Sequence, residues 1–208
     1  MKSNRAGRER TNERTTMTYR VGYIVGSLSR DSINRRLARA LHRLAPGELE
    51  LTEIPIDTLP LYNRDHDANY PPAAQDFKHA VASAEAILFI TPEYNRSIPG
   101  ALKNAIDWAS RPYGSSVLDG KPTATIGTSP GSVSTAVAQQ HLKGILTFAN
   151  MPVLAQPEAY IQFTQGLIDK TGTVTVPATA RFLSDYMSAF HAHIQRHHLR
   201  DFRPASVR

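Results

Sequence analysis

A group of hydroxyl, amide and guanidinium side chains follows the first apolar run of the sequence, where a helix is predicted to begin. The side chains that could contact a ligand there are Ser27, Ser29, Arg30, Ser32 and Asn34. A helix N-terminus offers unpaired backbone N–H groups and the positive end of the helix dipole, and both favour an anion. The segment lacks the patterns G-x-G-x-x-G and G-x-x-x-x-G-K-S/T, which argues against a Rossmann dinucleotide site and excludes a P-loop. A monophosphate fits best, and the alternative is that Ser29, Asp31 or Ser32 only caps the helix.

Two further polar segments follow later apolar runs. Their candidate ligand contacts are Pro92, Glu93, Tyr94 and Asn95 in the first, and Ser129 and Gly131 in the second. A proline-held loop could hydrogen-bond the edge of a planar heterocycle while the Tyr94 ring packs on or beside it. Gly131 lets the backbone approach a ligand closely. Each segment alone is also explained by an ordinary turn, but three of them at one edge of a fold indicate a binding site.

The elements that position these segments alternate between strand and helix. Strands are predicted at residues 19–25, 48–54, 86–91, 123–128 and 151–154, and helices at 31–44, 73–84, 99–110, 135–150 and 178–199. The run at 86–91 is apolar throughout, which is typical of a parallel strand buried on both faces. This alternation predicts an α/β protein with a flavodoxin-like three-layer α/β/α sandwich and a five-stranded parallel sheet in the order 2-1-3-4-5.

In such a sheet the ligand binds at the carboxyl ends of the strands, where the strand order reverses. The three polar segments follow the first, third and fourth predicted strands. We therefore expect them to meet at one site in a single domain spanning residues 18–199. Residues 1–17 are predicted to be a disordered extension and residues 200–208 a basic tail, with translation starting at Met1 or Met17.

The charge distribution argues against a specific nucleic-acid partner. The 208 residues carry a net charge of +6, with +3 in residues 1–18 and +3 in residues 196–208, so that the body between them is neutral. The basic tails lack interleaved aromatic residues, apart from Phe202.

No apolar run is long enough to span a membrane, and the N-terminus lacks the apolar core of a signal peptide. We expect a soluble, cytoplasmic protein without a membrane partner.

Residues that could bind metal or act as nucleophiles are sparse. The chain has no cysteine, which excludes a disulfide framework, a thiolate zinc site and a cysteine nucleophile. Asp65, His66 and Asp67 are interpreted as a solvated turn, and the histidines near the end of the last helix, at positions 191, 193, 197 and 198, as a solvated tail. No metal site is predicted.

The sequence resembles the NAD(P)H-dependent FMN reductase family, which includes bacterial quinone, azo-dye and chromate reductases. Its phosphate-loop pattern GS-x-R-x-x-S-x-N is matched by Gly26, Ser27, Ser32 and Asn34, and its pattern P-E-Y-N-x-S-x-P-G-x-L-K-N-A-I-D-W by residues 92–108. Residues 59–63 and 118–122 are also similar to it, and the resemblance covers about residues 19–165. Two positions depart from the family pattern. Ser29 replaces the phosphate-loop Arg, with Arg30 one place later, and Ser134 replaces a Gly.

The resemblance implies that the residues named on the three segments bind FMN. It also implies that hydride passes from NADH or NADPH to the flavin, and electrons then pass to a quinone, azo, nitro, chromate or flavin acceptor by ping-pong kinetics. It implies no dedicated catalytic residue, and a homodimer or homotetramer in which residues 59–63 reach a neighbouring subunit. Orienting the backbone suits Glu93 better than proton transfer, and backbone N–H groups from Glu93 to Asn95 would polarise the O4–N5 edge of the flavin. The alternative function is a flavodoxin-like electron carrier that does not oxidise a nicotinamide.

Overall fold

The computed structural model describes residues 17–201. The predicted extension at 1–17 and the basic tail at 200–208 therefore lie almost entirely outside the described residues. The strands in the described range are β1 (Tyr19–Val25), β2 (Leu49–Glu53), β3 (Ala86–Ile90), β4 (Thr123–Ser129) and β5 (Tyr160–Gln162). The helices there are α1 (Ile33–Leu44), α2 (Pro72–Ser83), α3 (Gly100–Ser110), α4 (Ala136–Phe148) and α5 (Pro177–Asp201), with a short 3-10 turn at Arg64–His66.

The five strands form one parallel sheet in the order β2-β1-β3-β4-β5, which confirms the predicted topology. All five residues of the central strand β3 are buried, as a strand covered on both faces requires. Helices α1 and α5 pack on one face of the sheet, and helices α2, α3 and α4 on the other. Phe77, Phe89 and Trp108 lie in the second of these two apolar layers.

The predicted fifth strand at residues 151–154 is wrong. The backbone of that segment pairs with the sheet only at the start of β4, where the Thr123 N–H donates to the Pro152 carbonyl and the Leu154 N–H donates to the Thr123 carbonyl. The chain then leaves the sheet and returns as β5, which pairs with the end of β4. Proline has no N–H to donate to a ladder, and Pro157 lies between the two segments, where it interrupts what would be one continuous strand. The true strand carries the chain to the carboxyl edge of the sheet.

The interpretation of the late histidines as a solvated tail is also wrong for the residues described. His193 is buried, and its Nε2 lies 2.9 Å from the carbonyl oxygen of Pro152. The rings of His191 and His198 pack beside Tyr19, with centroid distances of 5.8 and 5.1 Å. The end of α5 crosses the start of the sheet, so that these imidazoles fill space between the helix and β1.

No described helix is both long and apolar enough to cross a lipid bilayer.

Burial makes His193 a source of acid sensitivity. Desolvation lowers its pKa below the ordinary value of 6.5, as do His197 and Arg196, although the hydrogen bond to Pro152 opposes the shift. The unfolded chain therefore takes up this proton first as the pH falls. We expect the stabilisation to be fully present above about pH 6.5 and to be lost as the pH falls from there toward the folded-state pKa.

The measurement is urea unfolding of the wild type and of His193→Gln at several pH values between about 5 and 8. The variant should lose less stability on acidification than the wild type does. His79→Gln is the matched control because His79 is exposed, and it should follow the wild type. Identical pH profiles for the wild type and His193→Gln would contradict this assignment.

Candidate functional site

Three loops meet at the carboxyl edge of the sheet. They are the β1–α1 loop (residues 26–32), the β3–α3 loop (residues 91–99) and the β4–α4 loop (residues 130–135). The Gly26 N–H donates to the Ile90 carbonyl at 2.8 Å, and the Thr91 N–H donates to the Ile126 carbonyl at 2.9 Å. Each loop thus leaves the sheet beside its neighbour. The structure brings together the segments that hold all eleven predicted contact residues.

The β1–α1 loop carries a concentration of unused hydrogen-bond donors. The Ser32 hydroxyl caps α1 by accepting from the Arg35 N–H, and the Ser32 N–H donates to the Ser29 carbonyl. The backbone N–H groups of residues 27–31, and those of Ile33 and Asn34, donate to no acceptor in the described part of the chain. No acidic residue occupies the first turn of α1 to compensate its dipole. Capping and anion binding are therefore compatible here, since the cap satisfies only one of the donors.

The two arginines near this loop differ in what they can offer a ligand. The Arg35 guanidinium forms an ion pair of 2.6 Å with the Glu53 carboxylate at the β2 edge of the sheet. Arg30 is exposed and forms no ion pair with a described residue. Ser27 is nearly buried, whereas Ser29 is exposed beside Arg30. Arg30 is thus the guanidinium that can supply positive charge to the loop.

Asn34 has a different setting from the hydroxyls of the loop. It is 1% exposed, and its Nδ2 donates to the Thr128 carbonyl at 3.0 Å. The Thr128 N–H in turn donates to its Oδ1 at 3.0 Å. The side chain therefore ties the first turn of α1 to the end of β4.

The β3–α3 loop contains a tight two-residue turn. The N–H groups of Tyr94 and Ser97 each donate to the other residue's carbonyl, at 2.9 and 3.0 Å. Asn95 and Arg96 between them have φ values of 51° and 63°, which is typical of a type I′ turn. Because the turn uses the Tyr94 N–H, this donor cannot face a ligand, contrary to expectation. The N–H groups of Glu93 and Asn95 donate to no described acceptor, and the Tyr94 side chain is half exposed.

The Glu93 carboxylate joins this loop to α4. Its Oε2 accepts from the backbone N–H groups of Val137 and Ala138 at 3.1 and 3.0 Å, and its Oε1 accepts from the Arg96 guanidinium at 3.1 Å. The side chain is only 8% exposed. These contacts fit a residue that orients backbone, and they leave neither oxygen without a partner.

In the β4–α4 loop the structure accounts for one departure from the family pattern. Ser134 has a φ of 52°, a left-handed conformation that glycine adopts freely, and its hydroxyl donates to the Ile161 carbonyl at 2.7 Å. The serine therefore keeps the backbone shape that a glycine would allow. At the end of β4, the Ser129 hydroxyl accepts from the Gly131 N–H at 3.3 Å.

The sequence interpretation missed the end of β5 and the residue that follows it. The Phe163 N–H donates to the Ser129 carbonyl at 2.9 Å, and the Gln162 amide donates to the Pro130 carbonyl at 3.2 Å. Arg36 of α1 lies over the Phe163 ring, 6.0 Å from its centroid. The alternation of apolar and polar residues at 160–163 was the available signal, and the misplaced fifth strand obscured it.

Residues 59–63 are held on the outer face of α3. The Pro60 carbonyl accepts from the side chains of Asn104 and Trp108 at 2.9 and 2.8 Å, and the Tyr62 N–H donates to Asn104 Oδ1 at 2.7 Å. Leu61 remains 83% exposed.

No group of three His, Cys, Asp or Glu side chains in the described range could hold a metal ion.

Known proteins resemble this chain over most of its length. The profile of the family described as NADPH-dependent FMN reductase matches residues 19–166. A 2-hydroxy-1,4-benzoquinone reductase from Burkholderia sp. is 45% identical over 86% of this chain and 98% of its own, and a quinone reductase from Pseudomonas putida is 44% identical over 84% and 94%. The solved structure of FerB, a flavoenzyme NAD(P)H:(acceptor) oxidoreductase from Paracoccus denitrificans, superposes with a TM-score of 0.83 at 44% identity over 86% of this chain and 99% of its own. The chain therefore belongs to the NADPH-dependent FMN reductase family and is an FMN-dependent oxidoreductase.

Proposed function

We propose that this enzyme oxidises NADH or NADPH and reduces a quinone, with azo compounds, chromate and free flavins as further acceptors, by ping-pong kinetics. The observation that carries the proposal is the set of unused N–H groups in the β1–α1 loop, at the positive end of α1, whose first turn holds no acidic residue. Such a set of donors suits a phosphate monoester. FMN, when bound, would supply hydride acceptance and onward electron transfer.

The chain's own residues divide the work of holding the cofactor. Ser27, Ser29, Arg30 and Ser32 would hold the phosphate, together with the unused N–H groups beside them. Around the flavin ring, the contacts would come from Pro92, Glu93, Tyr94, Asn95, Ser129 and Gly131. Gly131 suits this role because the nearest described atom to a side chain built there would be Ser129 Oγ, at 3.8 Å.

We assign no side chain of the site to general acid or base catalysis. Glu93 has both carboxylate oxygens engaged by N–H donors and is largely buried. The proposed task of the protein is to orient the cofactor and leave one face of it open. Nicotinamide and acceptor would then use that face in turn, which gives ping-pong kinetics.

We also propose that the enzyme is a homodimer or homotetramer in the cytoplasm. Leu61 and Tyr113 are 83% and 91% exposed, on the loop at residues 59–63 and on the loop after α3. Apolar side chains exposed to this extent are suited to contact with a neighbouring subunit.

An anaerobic titration of the purified protein tests the proposal. The protein should be yellow or should take up added FMN, and its absorbance at about 450 nm should decrease on addition of NADH or NADPH. With benzoquinone as acceptor, double-reciprocal plots at several nicotinamide concentrations should be parallel. A protein that binds no FMN would overturn the assignment, and bleaching by dithionite but by neither nicotinamide would indicate an electron carrier instead.

A further inference from the structure

A buried hydrogen-bond network lies directly behind two of the three site loops. Asn34 pairs with both backbone polar groups of Thr128, and the Thr128 hydroxyl donates to the Ile161 carbonyl at 2.7 Å. The same carbonyl accepts from the Ser134 hydroxyl at 2.7 Å. Asn34, Thr128 and Ser134 are each at most 5% exposed, and we call these three with Ile161 the Asn34 network.

The network joins elements that are far apart in sequence. Asn34 lies in the first turn of α1, Thr128 near the end of β4, Ser134 in the β4–α4 loop and Ile161 in β5. In the described residues it is a direct side-chain link between the start of α1 and the end of β4. The relative position of the β1–α1 and β4–α4 loops therefore depends on the Asn34 amide. A ligand that contacts both loops binds well only if that position is already fixed.

The geometry assigns Asn34 a positioning role in FMN binding, and this assignment rests on the proposed function. Its Oδ1 and Nδ2 are directed to Thr128, inside the protein, whereas its backbone N–H is among the unused donors of the helix terminus. The side chain fixes the two loops relative to one another, and only the backbone of the residue would face the phosphate. This role differs from the direct side-chain contact that the sequence motif suggested.

Asn34→Asp tests the role because the side chain keeps its shape while a carboxylate oxygen replaces its Nδ2 donor. At about pH 8 the carboxylate can accept from the Thr128 N–H, but its second oxygen faces the Thr128 carbonyl and repels it. Burial raises the pKa of such a carboxyl, and in the protonated form its O–H can donate to that carbonyl as the amide does. We expect the variant to bind FMN on the order of 10 to 100 times more weakly than the wild type at about pH 8. Most of the lost FMN affinity should be recovered at about pH 5.5.

FMN affinity is measured by quenching of flavin fluorescence across this pH range, with folding followed by circular dichroism. Asn34→Ala should bind FMN weakly without recovery in acid, because alanine cannot donate in either form. Asn69→Asp is the matched control, since Asn69 is exposed in the loop before α2, and it should follow the wild type. If Asn34→Asp is unfolded at high pH, the same acid recovery should appear in its circular dichroism signal.

A second control separates positioning from general stability. Val81 lies on the core-facing side of α2, away from the three site loops, and Val81→Ala should lower stability while the folded protein retains wild-type FMN affinity. The inference is overturned if Asn34→Asp binds FMN as the wild type does at all pH values, or binds weakly without any acid recovery. Failure of the wild type itself to bind FMN would instead overturn the proposed function.

Discussion

Replacing Gly127 with alanine should destabilise the protein by at least about 3 kcal/mol and weaken FMN binding on the order of 100-fold. A Cβ atom built at Gly127 would lie 2.1 Å from the Thr91 carbonyl oxygen and 2.6 Å from Thr135 Oγ1. The Thr91 backbone cannot move aside alone, because its N–H is hydrogen bonded to the Ile126 carbonyl. The added methyl group would therefore push the β3–α3 loop and the start of α4 apart, at the edge where we place the flavin.

Two other glycines calibrate this result. A Cβ atom at Gly144, on the exposed face of α4, would meet nothing within 4 Å, so that Gly144→Ala should stabilise the helix by about 0.5–1 kcal/mol. At Gly22 the closest atom would be Ile54 Cδ1 at 2.4 Å, which is the flexible end of a side chain, and Gly22→Ala should cost less than Gly127→Ala. Thermal unfolding and FMN titration of the three variants check the order. Wild-type stability in Gly127→Ala would contradict the close approach of the two loops.

Much of the fold could be predicted because its signals are local. The continuous apolar run of β3 and the helical spacing of apolar residues in α1 gave those elements to within two residues. Strand order followed from the alternation of elements and from handedness rules. The position of β5 could not be predicted in this way, because three residues carry too little periodicity and the apolar run at 151–154 competes with them.

The candidate site could also be predicted only in part. Which loops meet at the site depends on topology, and topology was predictable. What each polar atom does depends on partners from distant segments, such as Thr128 for Asn34, 94 residues away, or Pro152 for His193, 41 residues away. A sequence pattern marks such a residue as important but cannot tell a ligand contact from an internal hydrogen bond. The type I′ turn that uses the Tyr94 N–H is a further case, since neither Asn95 nor Arg96 is a glycine.

Helix α4 lacks its own N-terminal stabilisation. The side chain of the cap residue Thr135 accepts from the Gln139 side chain but from no backbone N–H of the helix, and no acidic residue occupies the first turn. Glu93 supplies both from another loop, because its carboxylate accepts from the Val137 and Ala138 N–H groups of the first turn and places negative charge at the positive end of the dipole. It also holds Arg96, which has a left-handed backbone conformation that is unfavourable for an arginine.

Glu93→Ala should therefore lower the free energy of unfolding by about 2–4 kcal/mol, since it leaves two largely enclosed N–H groups and the helix dipole without a partner. FMN affinity should fall by about tenfold or more, because the turn at residues 94–97 is no longer fixed against α4. Glu93→Gln should lie between, as its single carbonyl oxygen can satisfy α4 or Arg96 but not both. Urea unfolding and FMN titration measure the two effects, with Asp76→Ala, an exposed carboxylate on α2, as the control expected to change stability by less than about 0.5 kcal/mol. If Glu93→Ala were as stable as that control, the carboxylate would not be the cap of α4, and the β3–α3 loop would have to be held in place by its two prolines and the paired backbone of its turn alone.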